Sequence, residues 1–328
     1  MPLVDEFHGT SGPVHTSFND TILPLERDFI QACEEVSGIS NKPTDPWSGD
    51  HIGFYNSLGA VSRVGPNKGK RSYATRGYYE PNRARPNLKV LCEALVNKVI
   101  LDDNKTTGVS LTYGGVEHQV SAQKEVIVCG GTLKSPQILE LSGIGDPTVL
   151  EAAGVPCKVE NLAVGANLQD HSLSFIVYKV KPGIITMDSL SQTPKLMEDA
   201  MKQYSETGTG ILSSVSTMQG YLPVTTIMSE DELNAVVQSI RDVKSTNQFH
   251  ADQLAQVIKH LQSDHSANLQ VALIPATGNP EGIKDQSKLF PPLPADEPAG
   301  FSLGVCLQYP VSRGYVHIGS NGTTLTFT

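Results

Sequence analysis

Residues 126–145 read VIVCGGTLKSPQILELSGIG, and no other stretch of the chain constrains its fold as tightly. The apolar run at 126–129 has the length and composition of a buried strand. Two glycines, Gly130 and Gly131, end it, and an apolar stretch at helical spacing follows. Ser135 can cap the first amides of that helix and Pro136 suits its first position. Gly143 permits the left-handed turn that stops it. The pattern is therefore strand, glycine turn, helix. Lacking Cβ atoms, the two glycines let backbone amides approach a phosphate or a ring edge; a tight strand-to-helix turn without a ligand also accounts for them.

The flanking sequence extends this mixed pattern. Residues 87–92 and 96–101 read as strands, and 108–113 and 116–120 as a hairpin through Gly114-Gly115, leading directly to 126–129. Asp146 and Pro147 open a second capped helix that Gly154 and Pro156 close. Upstream, Pro24 precedes a helix with Leu25, Phe29, Ala32, Cys33 and Val36 on one stripe and Gly38 as its stop. Residues 40–70 read as a long loop with a short strand at 57–63, and 72–80 as a short helix ended by Pro81. Downstream, 172–180 alternates as a strand and 192–207 is helical. Ser229 and Glu232 form a capping box at the start of another helix. Residues 250–265 are helical, 268–275 a strand, 276–299 a proline-rich loop, and 301–309 and 314–318 strands.

Composition excludes several classes. The chain has 328 residues, 39% hydrophobic and 18% charged, with a formal net charge of −9. A polyanionic partner such as nucleic acid is not expected, since no basic stripe appears. No apolar run approaches the roughly 20 residues that span a bilayer, so no membrane partner is expected. The opening residues lack the basic start and apolar stretch of a signal peptide, and compartment stays open. The cysteines, Cys33, Cys92, Cys129, Cys157 and Cys306, form no C-x-x-C pair and read as reduced, buried thiols; no metal site is expected.

With these elements in place, residues 131–145, GTLKSPQILELSGIG, resemble the second signature of the glucose–methanol–choline (GMC) oxidoreductases, FAD-dependent enzymes that oxidise alcohols. Further motifs follow in the family's order. HGTSGPV (8–14) is similar to the opening of its substrate-side region, and KRSYATRGYYEP (70–81) to the segment before the strand pair NLKVLCEALVNKV (87–99). VGANLQDH (164–171) is similar to the motif closing the flavin region, GTGILSS (208–214) to the start of the substrate sheet, and VSRGYV (311–316) to the entry of the C-terminal module. The resemblance implies an α/β fold, mixed with α+β: a partial FAD-binding, Rossmann-like part interleaved with a substrate domain of antiparallel sheet backed by helices. It places substrate-side residues at 1–81, the partial FAD-binding part at 82–171, the substrate domain at 172–310 and the start of the C-terminal module at 311–328. It implies FAD as cofactor and a small-molecule alcohol as substrate. Val96 matches a position whose backbone meets the adenine, Gly130 and Gly131 match positions lining the dinucleotide, and Asn167 and Asp170 match the closing motif near the cofactor. In the last case a plain turn after Gly165 is the competing reading.

Two features of the family pattern are missing. No G-x-G-x-x-G follows a strand into a helix: Gly143-Ile144-Gly145 is followed by Thr148, and Gly208-Thr209-Gly210 by Ser213. The family's C-terminal histidine base has no counterpart after Ser320. None of the nine histidines is placed by pattern beside a second catalytic group; His250, His260 and His265 read as solvated, and His317 as lacking a partner. No catalytic residue is assigned. The expectation is an alcohol oxidoreductase of GMC type passing hydride to flavin, present here as a chain truncated at both ends and inactive. The alternative is a non-catalytic small-molecule-binding or interaction protein derived from that family.

Overall fold

The computed structural model describes residues 4–40, 45–215, 217–322 and 325–327. In chain order its elements are helix α1 (Pro24–Ser37), strands β1 (Gly53–Asn56), β2 (Leu95–Asp102), β3 (Lys105–Tyr113) and β4 (Val116–Ser121), helix α2 (Gly131–Leu141), strand β5 (Ile144–Gly145), helix α3 (Pro147–Ala152) and strands β6 (Val159–Glu160) and β7 (Ser172–Lys179). Helices α4 (Asp188–Gln192) and α5 (Pro194–Thr207), strand β8 (Met218–Leu222) and helices α6 (Glu230–Arg241) and α7 (Gln248–Leu261) follow. Strands β9 (Leu269–Ile274), β10 (Gly300–Leu307), β11 (Val316–Ile318) and β12 (Leu325–Phe327) complete the chain. The fold is mixed α/β with mainly antiparallel sheets, as expected. The elements form two compact units, one of Met1–Arg85 with His171–Val311, the other of Pro86–Asp170 with Ser312–Thr328.

The first unit is built on a five-stranded antiparallel sheet of order β1-β8-β9-β10-β7. Side chains alternate along the strands: on β8 Met218 and Leu222 face the core with Leu303 and Phe301 of β10, while Gln219 and Tyr221 of β8, Gln270 of β9 and Cys306 of β10 share the other face. Helix α1 lies against the apolar face, where Ile30 joins Phe54, Met218, Leu222 and Leu273. Pro24 opens α1, Glu26 accepts the Leu23 amide, and Gly38 at φ 71° ends it. Helices α6 and α7 bury Ile240, Leu254, Val257 and Leu261 around Val224. The Ser229–Glu232 capping box that starts α6 forms as read from the sequence. The strand expected at 57–63 lies instead at β1; the later residues make only isolated bridges, Ser17 with Gly59 and Val61 with Arg71. The short helix expected over 72–80 is a π-turn at Thr75–Tyr79.

The second unit contains the antiparallel sheet β2-β3-β4 and the short parallel pair β5-β6. Gly114 and Gly115, at φ 57° and 78°, form the β3–β4 turn, the primed geometry whose twist suits a hairpin. Residues 87–92 and 126–129 were expected as strands, and among the described residues neither joins a ladder. Their apolar composition suits a strand, but a strand needs neighbouring N–H and C=O groups. They lie open instead, with Ile127 75% and Val90 56% exposed. Helix α2 starts at Gly131, four residues before the expected Ser135, so Pro136 falls inside the helix rather than at its first turn. Asp146 caps α3 as expected, accepting from the Thr148 amide at 2.8 Å. Leu150, Ala153, Val155 and Ile318 form this unit's core. The cysteines correct the sequence reading: Cys92, Cys129 and Cys157 are exposed and only Cys306 is buried, all as free thiols.

Candidate functional site

The second unit holds a cleft of about 480 Å³ between α2 and the loop 161–169. Local backbone chemistry shapes both walls. On the helix side Gly131 adopts φ 73°, a conformation that side chains with a Cβ rarely take. A Cβ on Gly130 would stand 2.9 Å from the Ser135 amide nitrogen. Gly130 provides no side-chain cap, and the first amides of a helix have no intrahelical acceptor. Pro136 has no N–H, so the Thr132 carbonyl loses its bond one turn on. Thr132, Ser135 and Pro136 line the cleft. The helix thus brings backbone donors and an acceptor to one place.

The opposite wall is a turn fixed to the approach of β11. Gly165 takes φ 74° and Asn167 φ 59°; asparagine is among the few non-glycine residues that tolerate this region. The Gly165 carbonyl accepts the Val316 amide at 2.7 Å, and Leu168 and Gly314 exchange backbone bonds at 2.9 and 2.7 Å. A Cβ at Gly165 would collide with the Val316 carbonyl.

The five residues singled out in the sequence are spread around this cleft. Asn167 lines it. Gly130 and Gly131 directly precede its lining residue Thr132, and Gly131 is exposed. Asp170 is exposed in the same loop, just past the lining residue Gln169. Val96 does not line the cleft; it is half-buried on the edge strand β2, opposite Leu111 and beside a bulge between Val96 and Lys98. Strand β2 is tied to the far end of α2, where the Ser142 hydroxyl accepts the Val99 amide at 2.8 Å.

Other polar centres were not visible in the sequence. His317 does have a partner: its Nδ1 lies 2.6 Å from Oε1 of Glu140, a carboxylate with no exposed surface, whose Oε2 accepts the Ile318 amide at 2.8 Å. His8 Nε2 lies 2.6 Å from Oδ2 of buried Asp45. Burial acts to raise the Asp45 pKa, but the Val4 and Trp47 amides and His8 outweigh it and hold the carboxyl below its ordinary value. His260, expected in solvent, stacks on Tyr309 with ring centres 4.3 Å apart. These pairs join residues 37, 49 and 177 positions apart, a separation that no local pattern reports. Among the described residues no group of three or more His, Cys, Asp or Glu could hold a metal ion, and no helix is long and apolar enough to cross a membrane.

Comparison with known proteins places this geometry in a family. The model of the GMC oxidoreductases matches residues 3–173. A dehydrogenase of Monascus purpureus, mpl7, is 37% identical over 331 residues, covering 97% of this chain and 53% of the relative. An oxygen-dependent choline dehydrogenase of Burkholderia thailandensis is 31% identical over 214 residues, 64% of this chain and 36% of its own length. Among solved structures, an FAD-dependent oxidoreductase from Chaetomium thermophilum superposes with a TM-score of 0.80 at 22% identity, over 96% of this chain and 52% of that one. A fungal aryl-alcohol oxidase superposes at 0.76 and 18%, over 97% and 52%; at these identities the likeness concerns the fold. The chain spans about half the length of the first of these relatives and of both structures. The signature at 131–145, the fold around it and the family match over the N-terminal half agree: the chain belongs to the GMC oxidoreductase family.

Proposed function

We propose that this chain carries the substrate-side part and a portion of the FAD-binding part of an oxidoreductase that acts on the CH–OH group of an alcohol. The observation that carries the reading is the exposed, uncapped start of α2 at Gly130-Gly131, beside a cleft that Asn167 lines. The residues present suit part of a dinucleotide. Free first-turn amides favour a phosphate oxygen, and no Cβ at Gly130 or Gly131 stands in its way. In this reading Gly130, Gly131 and Asn167 border the diphosphate and ribose. The Val96 backbone, on an edge strand at a bulge, takes the adenine side, and Asp170 closes the flavin region. FAD, when bound, supplies the hydride acceptor. The chain's own residues bind and orient; no histidine among them is assigned as the base.

The chain contains no G-x-G-x-x-G, which in dinucleotide-binding folds holds the pyrophosphate on a second helix. By itself the 328-residue chain therefore binds FAD weakly and does not turn over alcohol. Titrating the labelled chain with FAD while following backbone amide resonances tests this. Shifts at Gly131, Thr132 and Asn167 at millimolar FAD are expected, with flavin lost on gel filtration. Silence at those amides defeats the site assignment, and stoichiometric flavin retained through the column defeats the weak-binding prediction.

A further inference from the structure

The polar face of the first unit's sheet carries a row of amides with one direction. Gln308, just past β10, donates from Nε2 to Gln270 Oε1 on β9 at 3.1 Å. Gln270 Nε2 donates to Gln219 Oε1 on β8 at 2.9 Å. Gln219 Nε2 donates to the Ser57 hydroxyl at 3.1 Å, and Ser57 donates to the Thr217 carbonyl at 3.3 Å. The last contact sets the sense of the whole row. A backbone carbonyl can only accept, so Ser57 gives up its proton there and must accept from Gln219. Gln219 then presents its oxygen to Gln270, which presents its own to Gln308. Tyr221 reinforces the order by donating to Gln219 Oε1 at 2.8 Å. Burial raises the Tyr221 pKa, with Cys306 adding to the effect and the Gln270 contact opposing it, so the phenol keeps its proton at neutral pH. At the open end of the row Gln308 is left with Oε1, an acceptor without a protein partner among the described residues.

Above this row lies a cavity of about 470 Å³ that Gln308 helps to line. Trp47, His51, Tyr55, Tyr221 and Tyr309 give it aromatic walls, and Ser57 and Gln219 of the row line its floor. Tyr55 and Tyr221 stack with ring centres 6.4 Å apart, and His51 tilts against Tyr221 at 6.1 Å. Flat walls suit a planar ring, whose faces and edges they can meet. A fixed acceptor suits a group that donates a hydrogen bond and disfavours one that only accepts, because the acceptor would then be buried unpaired. We propose that this cavity binds an aromatic alcohol, its ring held among Trp47, Tyr221 and Tyr309 and its hydroxyl donating to Gln308 Oε1. The proposal rests on the reading of the first unit as the alcohol-binding part and defines the alcohol by chemical class.

Trp47 is the chain's single tryptophan and sits in the cavity wall, so its emission reports occupancy directly. The test titrates the flavin-free 328-residue chain with benzyl alcohol, benzyl methyl ether and cyclohexylmethanol. Saturable quenching by benzyl alcohol is expected, with the ether, which cannot donate, and the saturated ring each about tenfold weaker. Gln308→Leu should bring alcohol and ether to equal affinity. Ser57→Ala frees the row to reverse and should narrow the alcohol-to-ether ratio while leaving the preference for the flat ring. Equal affinity for alcohol and ether in the unsubstituted chain overturns the proposal, as does the absence of saturable quenching. An undiminished alcohol preference in a folded Gln308→Leu chain also overturns it. If that variant does not fold, the alcohol–ether comparison in the unsubstituted chain decides. No flavin enters the assay, so its outcome is independent of the FAD titration.

Discussion

Glu26 shows how one buried side chain links a helix start to solution conditions. Its Oε2 accepts the Leu23 amide at 2.9 Å, and the residue is only 3% exposed. Burial raises its pKa, and the Leu23 amide offsets part of the rise. The folded chain therefore holds this proton more tightly than the unfolded chain, whose glutamate titrates near about 4.3. The favourable contribution is complete below that value and is lost as pH rises through the folded pKa. Glu26→Gln keeps an acceptor for Leu23 and removes the buried charge. The variant should melt at a higher temperature than the parent at pH 7, and the gap should close by about pH 4. Thermal unfolding at the two pH values checks this; a gap equal at both would mean the charge is not responsible. The helix after Pro24 was readable in the sequence, but the role and the burial of Glu26 were not. That burial depends on packing against residues far along the chain.

At the scale of elements, α2 is the informative case. The sequence marks a helix near residues 135–142, and one is there. Its start was misplaced because Ser135-Pro136 satisfies the rules for a first turn, whereas the structure begins the helix at Gly131, whose φ of 73° only glycine adopts easily. Tertiary contacts anchor the other end of the helix. Glu140, near its C-terminal end and fully buried, accepts from the Ile318 amide on β11 and pairs with the part-buried His317, locking helix to strand. Removing the carboxylate leaves a buried N–H unpaired. Glu140→Ala should therefore destabilise the second unit by about 2–3 kcal/mol. Glu140→Gln, which retains an acceptor for Ile318, should cost less. Urea unfolding of the three chains provides the comparison, with hydrogen exchange at Ile318 assigning the loss to this contact. Equal costs for the two variants would mean that the Ile318 bond is not what matters.

Across the whole molecule, the chain passes between its two units at residues 85/86, 170/171 and 311/312. Apolar segments outside any ladder lie open at 87–92 and 126–129, and β7 is an edge strand with Leu173 and Ile176 about half exposed. Unpaired apolar backbone of this kind invites association between copies. Ile127→Lys should lower light scattering of the concentrated chain while leaving its melting temperature within about a degree, since a substitution at an exposed site usually changes stability little. Undiminished scattering would place the sticky surface elsewhere. The sequence by itself determined what rests on neighbours a few residues apart. It placed the hairpin at Gly114-Gly115, the caps at Asp146 and Ser229, most helices and strands, and the family through the signature at 131–145, because turn geometry, capping and hydrophobic period are local. Tertiary structure alone decided which apolar runs find a ladder and where His317 and His8 find their carboxylates. It also decided that Gln219, Gln270 and Gln308 fall into one row. Those outcomes depend on backbone and side-chain groups brought together across tens to hundreds of residues, and no short stretch of sequence encodes such distances.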